Sequence, residues 1–288
     1  MFGTHLSAAF IVASSHISMS GRKEIPLFNA LVASFSSLSS MGLDITVLSP
    51  IIHKVYGNFD VDKSYFTGGL LNKKREIGDL VLVMYSKKKQ SGKITFIQCK
   101  HHKSLSIVPP SVFKGENLQF YLMNKRPIVY KCKYPMLDLN PTLFQKATIP
   151  SVTSYGIFYD FKGKHEFAYY SSDHLIISGV PFTAIRKTQS ITFTGSYCHV
   201  DPSYPLGDVN GTRDMIEFGD HIEKLNIGTI LGSGLQNMIK IIHPNAPASF
   251  KSLEFEFRND EPSIRNDLLA KKPIIFINVD NLTESKNI

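Results

Sequence analysis

Several things are scarce or missing in this chain, and each absence removes a class of protein. No segment approaches the ~18 unbroken apolar residues that a membrane-crossing helix needs. The N-terminal apolar run SAAFIVAS (7–14) is short and follows no basic residue, so a secretory leader is not expected. Cysteine is rare: Cys99, Cys132 and Cys198 are far apart and form no CxxC pair. That spacing excludes a disulfide framework and a cysteine zinc site, and it suits a reducing compartment. Asn210-Gly-Thr and Asn281-Leu-Thr match the glycosylation pattern, which has no meaning without secretion. No GxxxxGK[ST] loop occurs, so any ATP-driven step falls to a partner. There is no internal repeat and no low-complexity tract. The expected setting is cytoplasmic, away from membranes.

What is present is a globular composition. The 288 residues are 43% hydrophobic and 19% charged, enough to bury a core. The net charge of +8 is unevenly placed. Residues 1–72 balance four Lys/Arg against four Asp/Glu; residues 73–133 hold fourteen against three; residues 134–288 hold fourteen against seventeen. All the excess positive charge therefore sits in one stretch, which favours a polyanionic partner. Lys73, Lys74, Arg75, Lys87, Lys88, Lys89 and Lys103 are the candidate nucleic-acid contacts.

The basic stretch surrounds GDLVLVMYSKKKQSGKITFIQCKHHK (78–103). Two apolar runs flank a polar turn, which predicts a hairpin of strands 79–85 and 94–100. Side chains alternate, so Asp79, Val81, Val83 and Tyr85 share one face, as do Ile94, Phe96, Gln98 and Lys100. Pairing Tyr85 with Ile94 sets Val81 against Gln98 and Asp79 against Lys100. That register, or one two residues away, keeps the apolar faces together. An acid, an amide and a lysine then converge at one end of the hairpin. The carboxylate, the amide oxygen and the Cys99 carbonyl are hard donors suited to Mg²⁺ or Mn²⁺. Lys100 can neutralise charge on a phosphate, and the chemistry implied is phosphodiester hydrolysis. His101 and His102, being adjacent on a strand, point to opposite faces and do not ligate jointly.

Around the hairpin, residues 24–40 predict a helix with Pro26 in its first turn and Gly42 after its end. Phe28, Leu31, Phe35 and Leu38 form its apolar face, and Glu24 falls on that face, near the positive end of the helix dipole. A strand at 43–48 and a loop VYGNFDVDKSYFTGG precede the hairpin. A helix over 112–125, capped by Ser111, and a strand at 127–134 follow it. Beyond about 150, SYGIFYDF, GKHEFAYYSS, SITFTGSY and KPIIFINV read as strands, and 217–242 as partly helical. The aromatic residues here, Tyr155, Phe158, Tyr159, Phe161, Phe167, Tyr169 and Tyr170, suit strand packing or base stacking.

Asp79 followed by Gln98-Cys99-Lys100 resembles the motif of the PD-(D/E)xK nuclease superfamily, over roughly residues 20–135. The resemblance implies an α/β (α+β) fold: a restriction-endonuclease-like core with a mixed central sheet flanked by helices, plus a C-terminal α+β region. It implies that Asp79 and Glu24 bind metal with Gln98 and the Cys99 carbonyl, that Lys100 is catalytic, and that Gln119 (or Glu116) contributes from the following helix. Two departures stand out. Gln98 replaces the usual acid, which lowers metal affinity unless Glu24 or Glu76 compensates, and Gly78 replaces the proline. The expected division is 1–148 as nuclease core and 149–288 as an accessory region for dimerisation, partner docking or substrate gating. The expected function is Mg²⁺-dependent cleavage of DNA, with RNA left open and restriction or anti-phage defence as the setting. The alternative is a nuclease-like binding or scaffold protein without catalysis. Expected partners besides nucleic acid are a second copy of the chain and a protein supplying ATPase or recognition functions.

Overall fold

The computed structural model describes residues 1–21, 23–48, 56–76, 78–105, 108–127, 131–133, 152–183, 187–203, 206–231, 247–253 and 273–282. The chain opens with α1 (Phe2–Ser14), α2 (Glu24–Ser40), β1 (Ile45–Leu48), β2 (Tyr56–Val61) and β3 (Leu70–Glu76). The hairpin β4 (Leu80–Ser86) and β5 (Ser91–Leu105) follows, then β6 (Val112–Glu116), α3 (Asn117–Lys125) and β7 (Lys131–Lys133). The later strands are β8 (Thr153–Phe161), β9 (Lys164–Ser171), β10 (Leu175–Ile177), β11 (Thr188–Phe193), β12 (Val200–Asp201), β13 (Asp208–Val209) and β14 (Gly211–Thr212). Helix α4 (Met215–Glu223), β15 (Thr229–Ile230) and β16 (Ile274–Asn278) complete the set.

Eight of these strands form one mixed sheet in the order β1-β16-β4-β5-β8-β9-β14, with β15 also on β5. β16 runs parallel to β4 and β8 parallel to β5; the other neighbours are antiparallel. The hairpin is therefore central, and β4 is buried along its whole length. Leu80, Leu82 and Met84 pack on one face with α1, α2 and α4, while Val81, Val83 and Tyr85 pack on the other with α3 and the smaller sheets. Burial on both faces is why β4 reads as an unbroken apolar run. The class is thus mixed α and β, with a central mixed sheet flanked by helices. Residues from both sides of position 148 build that sheet, since β8 lies directly on β5. No helix among the described residues is long and apolar enough to cross a membrane.

The helix at 24–40 forms as expected, with Phe28, Leu31, Phe35 and Leu38 buried. Two expectations change. Residues 56–61 and 70–76, in and after the segment read as a loop, are β2 and β3; with β7 they make a separate sheet. Within the strand expected at 127–134, Lys131–Lys133 forms β7, which pairs with β2, while 128–130 and 134 lie outside the described residues. The helix expected from 112 begins at Asn117, because 112–116 is strand β6 paired with β11. Gly115 lets the Ile191 side chain lie across this pairing: a Cβ there would come within 2.3 Å of the Ile191 Cδ1, which would have to move aside. Ser111 accordingly caps nothing; Glu116 holds the N-cap position in extended conformation. Of the 217–242 segment, residues 217–223 belong to α4, and 232–246 lies outside the described residues.

Helix α4 also sets up a titration. Asp214 caps it by accepting the Glu217 N–H at 2.9 Å, and Glu166 faces the Met215 N–H at 3.4 Å. Burial, then the Asp214 carboxylate, pushes Glu166 from the ordinary 4.5 up to about 7. A raised carboxyl binds its proton more tightly in the folded state, so its stabilisation is present below about 4.5 and is lost as pH rises through 7. Folding stability should fall between those limits by up to about 3 kcal/mol. Glu166→Gln should flatten that slope in urea unfolding at pH 5, 6, 7 and 8; an unchanged slope would remove Glu166 as its source.

Candidate functional site

Gly78 ends the approach to the hairpin at φ +64°, with the Ile97 backbone oxygen 3.2 Å from where a Cβ would sit. A proline there, fixed near φ −65°, would not fit. The next residue enters the sheet: the Asp79 N–H donates to the Ile97 carbonyl at 2.7 Å. The register sets Leu80 against Ile97 and Val83 against Ile94. This is the alternative two residues from the first pairing considered, and it places Asp79 opposite Gln98.

Strand β4 begins at Leu80 while β5 runs on to Leu105, so the pairing with β4 stops at Ile97 and β5 extends past it. Asp79 lies at the start of this edge of β5. Its Oδ2 accepts the Cys99 N–H at 2.7 Å and the Gln98 Nε2 at 2.5 Å. The N–H and C=O of one strand residue leave on the same side, so the Cys99 carbonyl also faces this edge. The Cys99 side chain itself is buried on the opposite face. Lys100, next along, places its ammonium 3.1 Å from Glu24 Oε1 on the first turn of α2. The two side chains are 22% and 45% exposed, so the pair adds at most about 1 kcal/mol of stability and serves to position. The structure thus brings Asp79, Gln98, Cys99, Lys100 and Glu24 to one edge.

The remaining candidates fall in different places. Gln119 donates to the Glu76 carbonyl at 2.7 Å and Glu116 accepts from Arg75 Nε at 2.9 Å; both tie α3 to the strand leading into Asp79. Lys73 and Lys74 lie with Arg75 on β3, in the side sheet. Lys87, Lys88 and Lys89 form the turn at the far end of the hairpin, roughly 23 Å from Asp79 at strand rise. That turn is anchored by Asp280, whose Oδ2 accepts the Lys88 N–H at 2.9 Å. Lys103 is close to the edge cluster, three residues beyond Lys100 on β5.

Two features escape sequence reasoning. Tyr155 pairs with Gln98 across β5 and β8, and its ring packs on Phe113 with centroids 5.3 Å apart. Burial first, then Glu116 and Asp79, raises its phenol well above the usual range. Its hydroxyl and the Gln98 Oε1 are both buried without a hydrogen-bond partner among the described residues. The second feature is a buried ionic group. Asp160 receives the Lys23 ammonium on Oδ2 at 2.6 Å and faces His165 Nδ1 with Oδ1 at 2.7 Å. His165 Nε2 lies 3.0 Å from the Ile17 carbonyl. His101, whose ring burial disfavours the protonated form, turns into this region, and its Nε2 is buried without a hydrogen-bond partner among the described residues. Above it opens a cleft of about 460 Å³ lined by Lys23, Glu24, Ile25, Pro26, His101 and Lys103.

Whether a hard cation fits the edge cluster depends on its donors. Among the described residues no three His, Cys, Asp or Glu side chains converge as a ligand set. The oxygens on hand are the Asp79 carboxylate, the Gln98 amide, the Cys99 carbonyl and, past Lys100, Glu24. The unpartnered Gln98 Oε1 is an acceptor lacking a positive partner, and turning that amide brings its oxygen beside Asp79. The set suits Mg²⁺ or Mn²⁺ with one charge fewer than a pair of acids would supply. No protein-family model, no curated protein and no solved structure matches this chain.

Proposed function

We propose that this protein is a metal-dependent nuclease of PD-(D/E)xK type, cleaving phosphodiester bonds in DNA. The observation that carries the reading is the convergence of Asp79, Gln98, Lys100 and Glu24 on the edge of β5 beyond β4. The order of elements supports it: helix α2, the hairpin, helix α3, then a strand parallel to β5. In this reading Asp79, Gln98 and the Cys99 carbonyl hold Mg²⁺ or Mn²⁺, which when bound polarises a phosphoryl oxygen and acidifies water. Asp79 is kept in place by the Cys99 N–H. Lys100 offsets charge developing on the phosphate, and Glu24 aims Lys100. A role in restriction or anti-phage defence accompanies this reading through fold analogy alone.

One observation favours a second reading, a nuclease-like protein that binds nucleic acid without cutting it. Gln98 donates to Asp79 where an acid would join it in holding a cation. The readings separate in an assay of plasmid and linear DNA with Mg²⁺ or Mn²⁺. The nuclease cuts both; the binder retains them in a salt-sensitive complex and cuts neither. Gln98→Glu adds the missing charge and should tighten Mg²⁺ binding about tenfold by calorimetry. No change in Mg²⁺ affinity would mean that position 98 does not face the metal.

A further inference from the structure

We propose that the cleft between the start of α2 and the C-terminal end of β5 is a phosphate-binding subsite. It would seat a backbone phosphate of the strand beyond the one held at Asp79 and Lys100. The assignment of the strand rests on the nucleic-acid reading above, whereas the anion preference follows from the lining itself.

The cleft begins where the edge cluster ends, because Glu24 belongs to both. Its acidity is already taken by Lys100. Asp160, beneath the cleft, has both oxygens engaged by Lys23 and His165. The rest of the lining is neutral or basic. Lys103 is exposed and makes no ion pair among the described residues. His101 lines the cleft, and its Nε2 is buried with no hydrogen-bond partner among the described residues. Helix α2, seventeen residues long, opens here at Lys23 with no side-chain cap on its first turn, so its N–H groups and dipole face the lining residues Glu24 and Ile25. A second recess of about 360 Å³ shares Lys23, His101 and Lys103 and adds Met19, Ser20 and Gly21. The opening is larger than one phosphate requires. Lys100 and Lys103 lie roughly 10 Å apart along β5, so a ligand reaching both extends past a single phosphate. A nucleotide strand does so, with its phosphate at His101 and Lys103.

The phosphate could be internal to a strand or a terminal monoester, and the test separates them. Wild type, the double variant His101→Gln/Lys103→Gln and Asp79→Asn are titrated in EDTA, where no cutting occurs. The probes are inorganic phosphate and two matched single-stranded hexanucleotides, one 5′-phosphorylated and one 5′-hydroxyl. The expected result is saturable phosphate binding that weakens about tenfold in the cleft variant and is unchanged in Asp79→Asn. Lys103→Gln alone should lower the salt slope of hexanucleotide binding by about 0.7. Equal loss with both hexanucleotides marks an internal phosphate; loss confined to the phosphorylated one marks a terminal monoester. Thermal midpoints matched to wild type exclude misfolding. Phosphate binding that is absent in wild type, or indifferent to the cleft substitutions, overturns the subsite. The nuclease reading fails separately: phosphate binding with no cutting leaves the subsite standing, and cutting by a protein whose cleft binds nothing leaves the edge cluster standing.

Discussion

Asp79→Asn should abolish metal-dependent cleavage, by about 10³-fold or more, while leaving the fold intact. The asparagine matches the aspartate in size and its carbonyl can still accept the Cys99 N–H, so the contact that ties it to β5 is kept. What disappears is the one formal charge among the three proposed inner donors, and Gln98 and a carbonyl do not replace it. Lys100→Ala should lose activity comparably for a different reason: the phosphate loses its neutralising partner, and Glu24 is released. Because the two act on one event, the double variant should cut no more slowly than the worse single one. DNA binding in EDTA separates the outcomes. The nuclease reading expects Asp79→Asn to bind as wild type does while failing to cut. A wild type that binds without cutting, unaffected at either position, belongs to the non-catalytic reading.

The cluster was legible because strand alternation is a local property. Once the runs 79–85 and 94–100 are strands, Asp79, Gln98 and Lys100 must share a face, and only the register was left open. The register then followed from what the sequence could not display, the positive φ at Gly78 and the position of the Ile97 carbonyl. The helix at Glu24–Ser40 was legible through its own apolar periodicity. Strand β3, LLNKKRE, was hidden because an edge strand bearing charge looks like a solvated turn. Strand β6 was hidden because Val112-Phe113 followed by an apolar helix blurs the change of period. Tyr155 was visible as an aromatic in a strand, but its place beside Gln98 depends on β8 pairing with β5 across more than fifty intervening residues. In the Lys23–Asp160–His165 group, Asp160 and His165 face each other across the β8–β9 hairpin, a local pairing. Lys23 comes from 137 residues away in the chain, and no local pattern links it to them.

That buried group carries the largest expected effect on stability. Asp160→Ala should destabilise the protein by about 3–5 kcal/mol, since it leaves the Lys23 ammonium without its counter-charge. The Lys23 and Asp160 side chains are 3% and 4% exposed, so water cannot take over the lost interaction. His165 would lose its Nδ1 partner at the same time. The loss should also be visible in one place. Lys23 donates to the Met19 carbonyl and His165 meets the Ile17 carbonyl, so the group fastens the connection between α1 and α2 onto β8 and β9. Urea unfolding gives the magnitude, and limited proteolysis should show faster cleavage within residues 15–21. Lys23→Met combined with Asp160→Ala removes both charges and should recover much of the loss, because a buried pair is costly to break but not to replace. A cost below about 1 kcal/mol for Asp160→Ala, the range of solvent-exposed pairs, would mean that solvent reaches the group and that it does not anchor the cleft above it.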